Sequence, residues 1–220
     1  MKTNERKTLI LGIAMILAFS LWTMLVQTVD VRPVGQCGTN IGFAAFNRWF
    51  FEWCGVHMTL YTITDWLGLV PVFICLFFGG MGFSQLIGRK SLFKIDRDII
   101  LLGIYYIIVI SGYLIFEMIP INYRPIPIDG HMEASYPSST TLLVLSVMPT
   151  LIFQAKRRIK SAKIKKCICI ISIIFSVFTV SDRLVSGVHW FTDIFGGVLL
   201  SAGLFNLYKA AALFCDKRKK

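Results

Sequence analysis

The sequence predicts an all-α integral membrane protein, a bundle of six transmembrane helices with an interfacial helix between the first and second spans. Hydrophobic residues make up 55% of the 220 residues and charged residues only 16%, whereas soluble domains carry about 25% charged residues. The basic residues behind the net charge of +11 stand in short runs between long apolar stretches. This pattern is typical of membrane proteins, and it argues against a soluble enzyme, a disordered chain or a nucleic-acid-binding protein.

Six apolar stretches account for the six spans. A helix needs about 20 apolar residues to cross the bilayer core, and four stretches without charged side chains have 18 to 23 residues. Two further stretches of 15 residues each reach spanning length only by including charged neighbours at one end. We expect one domain over residues 1–220, with spans at about residues 8–29, 61–88, 99–119, 135–155, 167–183 and 189–208.

Lys and Arg are distributed unequally between the two sides of this topology. Nineteen of the 23 fall in the four segments on the N-terminal side. Because cytoplasmic loops carry an excess of Lys and Arg, we expect both termini in the cytoplasm. The first stretch is interpreted as an uncleaved anchor, since its 22 apolar residues exceed a signal-peptide core of about 7–15. A bacterial plasma membrane is the expected location, although an endoplasmic reticulum membrane with a lumenal site obeys the same rule.

The segment between the first two spans is long and rich in aromatic residues. Phe43, Phe46, Phe50 and Trp53 recur at helical spacing, which predicts an amphipathic helix lying on the outer leaflet. A loop packed on the end of the bundle is the alternative, and the two are compatible.

The six cysteines show no metal-ligand spacing, and we expect neither a metal nor a cofactor. Cys37 and Cys54 both fall on the predicted outer side. Either a disulfide or two free thiols fits their spacing.

The topology gathers polar residues on the predicted outer face. Arg124 follows the third span, residues 138–141 open the fourth, and Arg183, His189 and Asp193 stand around the start of the sixth. Charged residues inside a span are costly and favour a functional interpretation. Individually, each has an ordinary structural explanation, such as a helix-end hydrogen bond or an interface anchor. The ordered combination is far more specific.

Phosphoryl transfer is the chemistry that fits this combination. His189 and Asp193 are four residues apart and share a helix face, so the carboxylate can orient the imidazole and leave its other nitrogen free as a nucleophile. The guanidinium groups of Arg124 and Arg183 match phosphate oxygens.

The start of the fourth span supplies a further anion site. Ser138, Ser139 and Thr140 follow Pro137, which is favoured in the first turn of a helix. The free N–H groups and hydroxyls of such a turn bind anions. We therefore assign these three residues to phosphate binding, together with the two arginines, in a reaction that proceeds through a phosphohistidine.

This set of residues resembles the type 2 phosphatidic acid phosphatase family of membrane lipid phosphatases. That family carries Lys-x6-Arg-Pro, Pro-Ser-Gly-His and Ser-Arg-x5-His-x3-Asp in this order. The first motif is similar to residues 117–125, with Glu117 at the Lys position. The second is similar to residues 137–140, with Thr140 at the His position, and the third to residues 182–193, with Asp182 at the Ser position.

The resemblance implies an all-helical core, an active site on the outer membrane face and dephosphorylation without a metal. It also implies that His189 is the nucleophile and Asp193 its orienting partner, while Arg124, Arg183 and Ser138 hold the phosphate. Lipid phosphates or diphosphates and the surrounding membrane lipids are the expected partners, and nucleic acid is not. The oligomeric state is left open.

Thr140 stands where the family has the acid that protonates the leaving group, and three accounts of this remain open. In the first account the substrate is a diphosphate lipid, which expels a stable phosphate anion and has less need of an acid. General acid catalysis raises a reaction rate by about 10²–10⁴-fold. Alternatively, His131, with Glu133 nearby, is the proton donor. In the third account the protein is a non-catalytic relative that binds lipid phosphates. Glu117 favours this account, because a carboxylate close to a phosphate is repulsive unless it pairs with Arg124. A phosphotransferase would use the same histidine, whereas a transporter would hold its site nearer the midplane.

Overall fold

The computed structural model describes residues 3–35 and 38–217. Within them the chain is helical, apart from loops and isolated β-bridges. The helices are α1 (Thr3–Thr28), α2 (Ala44–Cys54), α3 (Met58–Leu67), α4 (Leu69–Arg89), α5 (Arg97–Met118), α6 (Ser139–Arg158), α7 (Ala162–Val185) and α8 (Phe191–Lys217). This confirms the predicted all-α class.

Six helical segments in the described residues are long and apolar enough to cross a membrane, as predicted. Five are single helices. The second span, Met58–Arg89, consists of α3 and α4, which meet at Gly68. The dihedral angles of Gly68 remain helical, with φ −58° and ψ −19°, so α4 continues directly from α3.

The helices extend beyond several of the expected spans, and α7 and α8 do so by up to nine residues. Two differences bear on the site. The fourth span was expected from residue 135, but α6 begins at Ser139 because the preceding Ser138 caps it, accepting a bond from the Thr141 N–H at 3.5 Å. The last span was expected from residue 189, but α8 begins at Phe191. His189 therefore lies in the loop between α7 and α8 and not on the same helix as Asp193.

α6 lies at the centre of the bundle and packs against α4, α5, α7 and α8. Buried hydrogen bonds join it to two neighbours. The Tyr105 hydroxyl donates to the Ser146 carbonyl at 3.1 Å, and the Gln154 amide donates to the Tyr208 hydroxyl at 2.9 Å. Large apolar side chains such as Ile107 and Phe77 are exposed on the outside, as expected for a lipid-facing surface.

The two ends of the bundle differ in chemistry. At the end that carries the C-terminus, Arg157 binds Asp216 with two bonds of 2.6 and 2.7 Å, and Arg158 pairs with Asp98 at 2.6 Å. These pairs tie α5, α6 and α8 together. The opposite end carries the candidate site, and we call it the site end.

α2 occupies the position where an interfacial helix was predicted. Its buried residue Asn47 donates to the Gly42 carbonyl at 2.8 Å and to the Thr192 hydroxyl at 3.0 Å, which anchors α2 to the start of α8. Trp49 and Trp53 are exposed on the other face. The helix thus packs on the bundle and still presents aromatic rings outward, and its location in the outer leaflet stays a prediction. The Cys37–Cys54 pairing lies outside the described residues, because Cys37 is not among them.

Close packing between α1 and α8 depends on small residues. A Cβ added to Gly203 would lie 2.7 Å from the side chain of Ile16 and 3.1 Å from its backbone nitrogen. A Cβ added to Gly112 on α5 would meet no atom within 4 Å. The same substitution therefore has different consequences at the two positions.

We expect Gly203→Leu to destabilise the protein by about 1–3 kcal/mol, because it forces α1 away from α8. Thermal unfolding in detergent measures this, with Gly112→Leu as the matched control for a leucine in a helix. Equal melting temperatures for the two variants would contradict the packing argument.

Candidate active site

The loop between α7 and α8 forms the floor of the site. Ser186, Gly187, Val188, His189 and Trp190 are all buried. The chain between α2 and α3 binds this loop, because the backbone N–H of His57 donates to the Ser186 carbonyl at 3.0 Å.

Asp193 orients the residues around it. One carboxylate oxygen accepts a bond from the Trp190 N–H at 2.9 Å and the other from the Asn122 side-chain amide at 3.1 Å. The Asp193 carbonyl accepts a bond from the Ser138 N–H at 3.1 Å. One residue thus joins the start of α8, the start of α6 and the loop that precedes α6.

His189 faces this carboxylate, with 3.8 Å between its Nδ1 and an Asp193 oxygen. This distance suits an electrostatic contact but exceeds a hydrogen bond. The imidazole is 4% exposed. Burial, together with the charges of Arg124 and Arg183, lowers the pKa of His189 well below its usual value, while the Ser135 backbone acts in the opposite direction. This direction favours the neutral form of the imidazole.

Arg124 reaches the site from a hairpin-like loop between α5 and α6. The backbone N–H of Arg124 donates to the Glu133 carbonyl at 3.1 Å, and the backbone N–H of Ser135 donates to the Asn122 carbonyl at 2.9 Å. The Arg124 side chain pairs with Glu133 at 2.9 Å. Its Nη1 is buried and has no hydrogen-bond partner in the described part of the chain.

Arg183 comes from the last turn of α7 and is 1% exposed. Its Nη2 donates to Asp65 on α3 at 3.0 Å, whereas its Nε has no partner among the described residues. The Tyr61 ring on α3 lies beside both arginines, 4.7 Å from the Arg183 Cζ and 5.8 Å from the Arg124 Cζ. The neighbouring Asp182 is also held by α3, because the Thr64 hydroxyl donates to it at 2.6 Å.

The three residues at the start of α6 that were expected to bind phosphate have different surroundings in the structure. Ser138 is fully buried and its hydroxyl caps the helix. Ser139 and Thr140 are half-buried and line cavities. Of the three predicted phosphate ligands, these two are therefore the ones whose side chains face open space.

Two cavities adjoin this helix start. A polar pocket of about 140 Å³ is lined by Arg124, Glu133, Glu117, Ser139 and Tyr113, among others. An apolar groove of about 480 Å³ runs between α4, α5 and α6, and its lining includes Thr140, Asp65, Leu142 and Val109. Ser139 and Tyr113 line both. A charged cavity and an apolar one therefore meet at the start of α6.

His131 and Glu117 lie at the margins of the site. His131 is exposed at the tip of the loop that carries Arg124, outside the lining of the polar pocket. Glu117 is exposed in the last turn of α5 and lines the polar pocket, but the carboxylate that pairs with Arg124 belongs to Glu133.

Sequence reasoning did not assign Tyr61, Asp65, Asn122 or Glu133 to the site. Asp65 ends an aromatic segment and Asn122 precedes Arg124 by two residues, but neither belongs to a recognisable motif. Among the described residues, no group of three or more His, Cys, Asp or Glu side chains has a geometry that could hold a metal ion.

The fold and the site define a polytopic helical membrane protein with a buried, charged site at one end of the bundle. The model of the PAP2 superfamily matches residues 99–214, more than half of the chain. The chain therefore belongs to the PAP2 superfamily, which confirms the family resemblance found in the sequence. The matched region contains every residue that the sequence assigned to the site.

A solved structure resembles the whole chain. It is described as the first transmembrane PAP2-type phosphatidylglycerolphosphate phosphatase, from Bacillus subtilis. The TM-score is 0.66 at 18% sequence identity, and the match covers 96% of this chain and 98% of that chain. The likeness therefore extends to α1–α4, which the family model does not reach. No curated protein sequence matches this chain significantly.

Gly187 allows the site loop to pack against the chain below it. Its φ is +73°, and an added Cβ would lie 2.2 Å from the Gly55 carbonyl oxygen. Gly130 has a similar φ of +79°, but a Cβ there would meet nothing within 4 Å. Both positions carry the cost of a left-handed backbone, about 1–2 kcal/mol for alanine, and only Gly187 adds a collision.

We expect Gly187→Ala to lower the melting temperature more than Gly130→Ala does, because the loop that holds His189 must move. Thermal unfolding of both purified variants measures the difference. If the two variants unfold at the same temperature, the close approach of Gly187 to Gly55 does not constrain the loop.

Proposed function

We propose that the protein is a membrane phosphatase that removes phosphate from a lipid phosphate or diphosphate on the outer membrane face, through a phosphohistidine at His189. One observation carries the proposal. A buried imidazole lies near two buried arginines that have unpartnered N–H groups, and Asp65, the partner of Arg183, lines an apolar groove. Membership of the PAP2 superfamily supports it.

In the proposed reaction, the free ring nitrogen of His189 attacks the phosphorus atom. Because Nδ1 faces Asp193, that nitrogen is Nε2. The bond from phosphorus to the lipid oxygen breaks, and the leaving group departs with its electron pair. Water then attacks the phosphohistidine, releases inorganic phosphate and regenerates the imidazole.

Arg124 and Arg183 would bind the phosphate oxygens and stabilise the charge that develops in the transition state. Both are buried, so their charges act in a low dielectric and need little rearrangement. Asp193 would stabilise the histidine as it becomes positively charged on attack.

The apolar groove supports a lipid substrate. A volume of about 480 Å³ between α4, α5 and α6 suits an acyl or isoprenyl chain. Because Ser139 and Tyr113 line both cavities, the headgroup would approach Arg124 through the polar pocket while the chain occupies the groove. The metal independence of the reaction rests on the family resemblance.

The proposed location is a bacterial plasma membrane with both termini cytoplasmic. α8 runs from the site end to Asp216 at the opposite end. α1 reaches the site end near its own C-terminus, where the Trp22 indole donates to the Thr192 carbonyl at 3.2 Å. The site is therefore remote from both ends of the described chain, and the excess of basic residues on the opposite side supports an outer location.

Lipid-phosphate binding without turnover is a second candidate function, and two departures from the family motifs favour it. Thr140 cannot protonate a leaving group, and Glu117 lines the same polar pocket as Arg124. A phosphotransferase would use the phosphohistidine with an acceptor other than water. Assays with and without turnover separate these functions.

We expect His189→Gln to reduce phosphate release by about 10³-fold or more, because the nucleophile is lost. Detergent-purified protein is assayed with phosphatidic acid, phosphatidylglycerophosphate and a polyprenyl monophosphate and diphosphate. His57→Ala is the matched histidine control, since His57 binds Ser186 through its backbone.

Each outcome of this assay has a distinct meaning. Release that survives in a folded His189→Gln variant would exclude the phosphohistidine. A parent protein that binds these lipids but neither releases phosphate nor transfers it to an added alcohol would support the binding function.

We expect the parent protein to prefer the diphosphate, because Thr140 cannot protonate a poor leaving group. Thr140→His should then raise hydrolysis of monoesters by about 10²-fold and change diphosphate hydrolysis less, since general acid catalysis contributes most to a poor leaving group. The ratio of the two kcat/KM values measures the effect.

His131→Ala is the companion variant. Monoester hydrolysis equal to that of the diphosphate in the parent protein, and lost in His131→Ala, would make His131 the proton donor and refute the leaving-group argument.

A further inference from the structure

Tyr61 lies where the two arginines of the site come together. Its ring is within cation–π distance of both guanidinium groups, 4.7 Å for Arg183 and 5.8 Å for Arg124. The two arginines belong to different segments, the end of α7 and the loop before α6. Tyr61 comes from a third, α3, so one ring touches both arginines from outside their own elements.

The position of this ring is fixed by its neighbours on α3. Thr64 and Asp65 follow Tyr61 by three and four residues and share its helix face. Thr64 binds Asp182 at 2.6 Å and Asp65 binds Arg183 at 3.0 Å. One face of α3 is thus attached to the last turn of α7, and Tyr61 has little freedom to move away from the arginines.

The aromatic face, and not the hydroxyl, makes the contact. The ring of Tyr61 contacts both cations, with the guanidinium carbons 4.7 and 5.8 Å from its centroid. Two buried guanidinium groups repel each other, and the electron-rich face of an aromatic ring attracts each of them. Because this attraction uses none of their N–H groups, the arginines keep those donors for an anion.

We propose that Tyr61 is a positioning residue that holds Arg124 and Arg183 at the separation needed to bind one phosphate group together. The inference rests on the proposed function only in taking both arginines as phosphate ligands. Tyr61 touches neither the reacting atoms nor His189 in this scheme. It acts through the arginines and so affects affinity for the phosphate more than the chemical step.

The test compares Tyr61→Leu with Tyr61→Phe and with Trp66→Leu. Trp66 is an exposed aromatic residue on the same helix and has no contact with the arginines, so its variant controls for the loss of a ring. Calorimetry measures the dissociation constant of inorganic phosphate, and phosphate release gives KM and kcat.

We expect Tyr61→Leu to weaken phosphate binding and raise KM by about tenfold, with a smaller change in kcat. Tyr61→Phe should stay within about threefold of the parent protein, because it keeps the ring. Trp66→Leu should match the parent protein. Unchanged binding in a folded Tyr61→Leu protein would overturn the inference, and so would equal damage by Phe and Leu.

If Tyr61→Leu does not fold, Tyr61→Met supplies a flexible apolar side chain without a ring, with the same expected loss. The two proposals fail separately. A parent protein that binds phosphate but releases none refutes the enzymatic function and still tests Tyr61 through binding. A parent protein that neither binds nor releases phosphate refutes both.

Discussion

The site end of the bundle depends on one buried carboxylate. Asp193 accepts bonds from the Asn122 amide and the Trp190 N–H, and its carbonyl accepts the Ser138 N–H. These contacts join the start of α8 to the start of α6 and to the loop before α6. A carboxylate buried without donors would cost several kcal/mol, so the Asn122 and Trp190 bonds help the fold to keep Asp193 here. The orientation of His189 follows from the same constraint.

The same requirement explains the local geometry around the site. The loop of residues 186–190 is buried, so its polar groups need partners in the protein. Gly187 lets the backbone lie against Gly55, and the Ser186 carbonyl is satisfied by the His57 N–H. This backbone bond holds the start of α3 against the end of α7, and the α3 side chains make further contacts with the arginines. The site is therefore assembled from both halves of the chain.

The bundle could be predicted from sequence because its signals are local. Hydrophobic length identified the spans, and the ordered motifs around Arg124, Arg183 and His189 identified the superfamily that the family model matches. Tyr61 and Asp65 could not be found in this way, since their contacts with Arg183 join residues more than 100 positions apart. Nor could sequence show that Ser138 caps α6, because the choice between capping and ligand binding depends on where the helix begins.

In both arginine ion pairs the two partners differ in exposure, and this difference is consistent with the proposed binding of an anion. Arg183 and Arg124 have side-chain exposures of 1% and 10%, whereas their partners Asp65 and Glu133 are 61% and 42% exposed. Exposed carboxylates gain little from such pairs and can return to water at small cost. The buried guanidinium groups have no such alternative. In the proposed function, a phosphate group would replace or join the carboxylates while the arginines stay in place. The positions of the arginines would then depend more on the buried framework around them than on their exposed partners.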